Sequence, residues 1–191
     1  MSLLDIFFLA LALAMDCFTV SIVSGVIVRR YILSVMLRLA VLFGLFQALM
    51  PFIGWLATSY FSSYIESVDH WIAFVLLAFL GGKMIKDSFG NEEEQHFDPT
   101  NIGSQLLFAV ATSIDALAVG ISFACLGYKN MQQLSVPLII IGVCSFVMSL
   151  LGYALGVMFG KSIVKRLKPE LVGGIILLLI GFRILYEHLE F

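Results

Sequence analysis

Apolar residues run along this chain in six long, nearly uncharged stretches separated by short polar breaks. The stretches cover residues 3–28, 35–60, 68–87, 102–126, 133–160 and 170–188. They are too long and too uniformly apolar for barrel strands, which alternate. Each is long enough to cross a hydrocarbon core of about 30 Å as a helix. In lipid the backbone must satisfy its own hydrogen bonds, so helix is the required state. The pattern therefore predicts an all-α membrane protein with six transmembrane helices. The one long polar stretch, 87–100, contains Asn91-Glu92-Glu93-Glu94-Gln95-His96 and then Asp98-Pro99. It reads as a solvated linker, and its glutamate run also has the composition to attract a metal. The chain divides accordingly into residues 1–90, a polar cytoplasmic linker at 91–100, and residues 101–191.

Composition removes the soluble alternatives. The 191 residues are 61% apolar and 13% charged, about half the usual ~25% charged, and the mean hydropathy is +1.04. Too few polar groups exist to cover a soluble surface, which sets aside soluble enzymes and secreted disulfide scaffolds. A net charge of −2 gives no reason to expect a nucleic-acid partner. Cys17, Cys125 and Cys144 show no CxxC spacing and read as small buried apolar residues. His70, His96 and His188 form no zinc signature with them. The first apolar run has no Lys or Arg before it and is too long for a cleaved signal peptide.

Basic residues orient the spans. With the N-terminus outside, the cytoplasmic side holds Arg29, Arg30, Arg38, Lys83, Lys86, Lys161, Lys165, Arg166 and Lys168, nine of the 11. Only Lys129 and Arg183 face outward. Both termini are therefore expected outside, with Tyr60, Tyr64, Trp71 and Tyr186 as interfacial anchors.

The chain also resembles itself. Ala14-Met15-Asp16-Cys17-Phe18-Thr19-Val20 aligns with Ser113-Ile114-Asp115-Ala116-Leu117-Ala118-Val119 at an offset of 99. Gly44, Met50, Gly54 and Trp55 align with Gly142, Met148, Gly152 and Tyr153 at 98. Gly81, Lys83 and Asp87 align with Gly181, Arg183 and Glu187 at 100. Each repeat holds three spans, an odd number, so the second copy is inverted. Two inverted three-helix repeats are a common plan of secondary transporters, whose substrate site lies near the midplane between the repeats.

Asp16 and Asp115 stand near the centres of the first and fourth spans, at equivalent positions. An intramembrane carboxyl costs about 2.5–3.5 kcal/mol on insertion scales and marks a site by default. Two carboxylates suit a hard or borderline divalent cation such as Mn²⁺ or Mg²⁺. Without a cation they repel, and at least one holds a proton, which gives a means of exchanging metal for protons. Thr19 and Thr112 share helix faces with the two aspartates. Gln47, with Ser145 as its repeat counterpart, offers an amide oxygen as a metal ligand or an interhelical hydrogen bond. The candidate metal residues are thus Asp16, Asp115, Gln47, Thr19 and Thr112. Met50 and Met148 read as packing, although a thioether would favour Mn²⁺. Gly25 and Gly120 read as close-packing positions or as local breaks near the site. Pro51 predicts a kink. No catalytic residue, resident cofactor or nucleotide-binding motif is expected, so an electrochemical gradient supplies the energy.

At these residues the chain resembles the MntP family of manganese efflux pumps, small six-span proteins of the bacterial inner membrane. The resemblance covers essentially the whole chain. Its most specific parts are Met15–Ser21, Phe43–Trp55, His70–Phe74 and Ala111–Gly120. It implies export of Mn²⁺ from the cytoplasm, with Asp16 and Asp115 as the transport carboxylates. The family often has Ala at the position of Cys17, and some members have Glu at that of Gln47, so this site is expected to hold two formal negative charges. The competing readings are an exporter of another divalent cation or a small solute such as an amino acid, a membrane scaffold, and an intramembrane aspartyl protease using the two carboxyls as a dyad. Ser-Ile-Asp-Ala around Asp115 lacks the Gly-x-Gly-Asp context of such proteases.

Overall fold

A computed structural model describes residues 2–59, 98–128 and 130–159, together with 74, 75, 78, 79, 82, 85, 175, 176, 178–180, 182 and 186. The described residues form four long helices: α1 Leu3–Val28, α2 Leu33–Ser59, α3 Ile102–Cys125 and α4 Met131–Phe159. All four are long and apolar enough to cross a membrane. They coincide with the first, second, fourth and fifth predicted spans. The third and sixth spans lie largely outside the described residues. Those described within them are helical, and Phe74 meets Phe182 edge to face with centroids 5.4 Å apart. Outside the described residues lie the Asn91–His96 linker, the anchors Tyr60, Tyr64 and Trp71, and the basic residues Lys83, Lys86, Lys129, Lys161, Lys165, Arg166, Lys168 and Arg183.

Local chemistry sets the helix ends. Ser2 and Asp5 close a capping box on α1: Asp5 N–H donates to Ser2 Oγ, and Ser2 N–H donates to Asp5 Oδ2 at 2.8 Å. The helix stops at Arg29, which adopts the left-handed conformation (φ 54°) while its N–H donates to Gly25 O. Asn101 caps α3 by accepting from Gly103 N–H at 2.8 Å. Just before it, Asp98 accepts from the hydroxyl and N–H of Thr100, which hold its carboxyl below the usual range.

Packing follows a crossed pattern. α1 packs mainly on α4, α2 packs on α3 and α4, and α1 has little contact with α2. Glycines fix the courses. A Cβ on Gly152 would meet Phe18 O at 2.6 Å, and one on Gly156 would meet Ile22 C at 2.9 Å, so α1 and α4 run parallel. Gly44 faces Gly142 and Phe146, and Gly142 faces Gly44 and Ala48, so α2 and α4 run antiparallel. Gly54 lies between Leu117 and Ile121 of α3. The contacts involve repeat-equivalent residues: Gly152 on Phe18 matches Gly54 on Leu117, and Gly44 meets its own counterpart Gly142. The helix ends match as well. Tyr153 Oη donates to Arg30 O at 2.9 Å, and Trp55 Nε1 donates to Tyr128 O.

Of the two sequence readings of Gly25 and Gly120, the structure takes close packing and not the local break: their helices run on through both positions. Each instead lets two backbones touch: Gly120 lies against Pro51, and Gly25 lies against Tyr153 and Val157. A Cβ on Gly120 would stand 2.6 Å from Pro51 Cα.

Candidate cation site

Gln47 is fully buried in α2. Its amide nitrogen faces three acceptors: Leu13 O at 3.4 Å and Cys17 Sγ at 3.3 Å on α1, and Thr112 O at 3.4 Å on α3. Leu13 and Thr112 are 99 positions apart, the offset that relates Asp16 to Asp115. Each backbone oxygen belongs to the residue three before its aspartate. One amide group therefore joins the same turn of both aspartate-bearing helices. This geometry orients the side chain, because the nitrogen must face acceptors. Gln47 Oε1 is then left buried without a hydrogen-bond partner among the described residues. Such a group costs about 1–3 kcal/mol, and an oxygen with free lone pairs is what a cation needs.

The other sequence candidates lie on the adjoining turns. Asp16 and Asp115 are both half-buried, as are Thr19 and Thr112. Thr19 Oγ1 donates to Met15 O at 3.0 Å, and Thr112 Oγ1 donates to Phe108 O at 2.8 Å. With their protons engaged on their own helices, both hydroxyls present acceptor oxygens. The structure thus brings Gln47 onto the Thr112 backbone and onto the turn of α1 that carries Asp16. Cys17 lies in an apolar cluster with Leu39, Phe43 and Ala109, and Met50 and Met148 pack against the central core around Leu13, Trp55 and Ile141. Among the described residues, no three of His, Cys, Asp and Glu come together. The candidate residues are two carboxylates and several neutral oxygens, donor types that suit a hard or borderline divalent ion.

Sequence reasoning passed over two further oxygens. Ser21 and Ser149 are buried, and their hydroxyls have no hydrogen-bond partner among the described residues; the same holds for Ser145. The available signal was the spacing of Ser145 and Ser149, four apart on one face of an apolar span.

Comparison with known proteins places the chain in a family. A family model described as "Putative manganese efflux pump" matches residues 30–185. The chain belongs to the MntP family. An MntP relative from Bacteroides fragilis, named "Putative manganese efflux pump MntP", is 57% identical over 189 residues, 98% of this chain and 97% of its own. A relative of the same name from Phocaeicola vulgatus is 54% identical, covering 99% of this chain and 98% of its own. One from Methanosarcina mazei is 47% identical over 190 residues, 100% of this chain and 99% of its own. No solved structure matches the chain. MntP is a transporter family, so this protein is a multi-pass membrane transporter and not an enzyme.

Proposed function

We propose that this protein exports Mn²⁺ from the cytoplasm across the bacterial inner membrane, as a proton-coupled secondary transporter built from two inverted three-helix repeats. The observation that carries this reading is the Gln47 amide, bonded to backbone oxygens one turn from Asp16 and one turn from Asp115. It joins the helix turns that carry Asp16 and Asp115 and leaves one buried neutral oxygen, Gln47 Oε1, without a hydrogen-bond partner among the described residues. Deprotonated, Asp16 and Asp115 bind the ion with this oxygen and the threonine hydroxyls. After the ion leaves, a proton taken up at the site from outside resets it, which couples export to the proton gradient. The names of the MntP relatives support manganese as the cargo.

Helix direction supports the six-span plan. α1 and α4 run parallel, and α2 runs against α4, so α1 and α2 cross in opposite senses. The residues 47, 51 and 54 of α2 meet 112, 120 and 121 of α3 in ascending order, so those two run parallel. A chain leaving α2 at one face must recross once to begin α3 at the other, which is the third span. The apolar stretch at 170–188 supplies a sixth span after α4. In this reading the basic residues Arg29, Arg30 and Arg38 at the α1–α2 turn favour a cytoplasmic turn, with both termini outside.

Inside-out vesicles containing the protein test the reading. Mn²⁺ should accumulate in the lumen, faster when the lumen is acid, and a protonophore should remove that acceleration. Competing Mg²⁺, Fe²⁺, Zn²⁺ and Ca²⁺ give the selectivity. Absence of Mn²⁺ uptake would overturn the export reading, and uptake indifferent to the pH gradient would overturn proton coupling.

A further inference from the structure

Two hydrogen bonds in this fold cross between the halves of the chain, and they are built alike. Tyr153 of α4 donates through Oη to Arg30 O, in the turn between α1 and α2, at 2.9 Å. Trp55 of α2 donates through Nε1 to Tyr128 O, in the turn between α3 and α4. One offset of 98 carries Trp55 to Tyr153 and Arg30 to Tyr128. The same offset carries Arg29 to Gly127. Those two residues take the left-handed conformation, at φ 54° and 83°, and each directly precedes the residue whose carbonyl accepts. Donor position, turn conformation and acceptor position are therefore all repeated.

Tyr153 and Trp55 are both buried, and a buried tyrosine hydroxyl or indole N–H needs some partner. That need alone does not explain why both reach the same position of an equivalent turn in the other half of the chain. Helix direction sets the two bonds apart. α1 and α4 run parallel, so the turn that ends α1 and the turn that begins α4 lie at opposite ends of the bundle. Tyr153 ties the halves at the end carrying Arg29 and Arg30, where Tyr31 Oη adds a bond to Ala154 O at 3.3 Å. Trp55 ties them at the other end. Gln47 and the turns of Asp16 and Asp115 lie between. A transporter with a midplane site opens to one face by moving one half against the other, and contacts joining the halves at that face then break. A single neutral hydrogen bond contributes modestly and can be exchanged for water.

We propose that Tyr153–Arg30 and Trp55–Tyr128 are the two gate latches of transport, one at each membrane face, released in alternation. The Tyr153 bond breaks when the site faces the cytoplasm, and the Trp55 bond breaks when it faces outward. This rests on the reading of the protein as a Mn²⁺ exporter with its site at Asp16 and Asp115. A bond already broken in one open state costs that state nothing when deleted. Deleting it therefore favours that state over the other. The two deletions must act in opposite directions, which bonds of merely structural use would not do.

Full-length protein in sealed vesicles of either orientation tests this. Cys17 is the reporter, since its Sγ accepts from the Gln47 amide, and Cys125→Ala with Cys144→Ala removes the other thiols. In Tyr153→Phe, which loses only the hydroxyl, a membrane-impermeant thiol reagent should modify Cys17 several-fold faster from the cytoplasmic face and more slowly from the outer face. Trp55→Phe should reverse both changes, and the double variant should restore the parent ratio of rates. Half-saturating Mn²⁺ for uptake into inside-out vesicles should fall several-fold in Tyr153→Phe and rise several-fold in Trp55→Phe. Parent labelling at both faces in Tyr153→Phe overturns the proposal. So does a shift of the same direction in both variants, and so does Cys17 unmodified from either face in all of them. If Trp55→Phe fails to reach the membrane, the Tyr153 arm decides alone. Absence of Mn²⁺ flux in the parent defeats the export reading instead, and the labelling, which needs no flux, still decides the latches.

Discussion

Asp16→Asn is expected to abolish Mn²⁺ export, by on the order of 100-fold or more, while the protein stays in the membrane at its normal level. The replacement keeps size and hydrogen-bonding capacity but removes the charge. Losing a charged ligand worth ~3 kcal/mol corresponds to about two powers of ten in affinity. Stability should not fall, because an ionisable group within a membrane span is a cost to insertion. Asp115→Asn should behave alike, because the two occupy equivalent turns joined by the same Gln47 amide. Manganese sensitivity of cells carrying each variant, read beside membrane abundance, checks the result. Full protection by either variant would remove that aspartate from the site.

The second large effect is structural. Gly120→Ala is expected to lower the unfolding temperature in detergent by on the order of 10 °C, or to remove the protein from the membrane. The added Cβ would stand 2.6 Å from both Cα and C of Pro51. Backbone cannot step aside as a side-chain tip can, so α2 and α3 must separate. Overpacking of this kind costs about 3 kcal/mol or more at its upper end, and each kcal/mol moves the midpoint of a chain this long by about 2–4 °C. Gly156→Ala should act similarly on the other seam, where Ile22 O and C block the position. Gly82→Ala is the control, since no described residue lies within 4 Å of its Cβ position. Equal stability of the Gly120 and Gly82 variants would contradict the packing described here.

What the sequence could and could not tell follows from the physics of each feature. Helix bounds were legible because lipid leaves the backbone no alternative to helix: the run at 3–28 is α1 Leu3–Val28, and the run at 102–126 is α3 Ile102–Cys125. The paired aspartates were legible because a charge in an apolar run stands out. Helix partners were not, since uniformly apolar helices carry little sideways pattern; only glycine spacing hinted at the α1–α4 seam. The role of Gly120 was open because a glycine serves equally as a break or as a contact, and only the position of Pro51 decides. The orientation of Gln47 depends on acceptors from two other helices, and no local pattern encodes that. Ser21 and Ser149 look like any small residues until the missing i−4 bonds are seen.

The central claim is that Asp16 and Asp115 act together on one ion. Titration of the purified protein with Mn²⁺, followed by the loss of the free-ion paramagnetic resonance signal, tests it most directly. One Mn²⁺ per chain should bind to the parent, and either Asp→Asn variant alone should lose that binding. Two ions per chain in the parent, with one retained in each variant, would contradict it by showing two separate carboxylate sites.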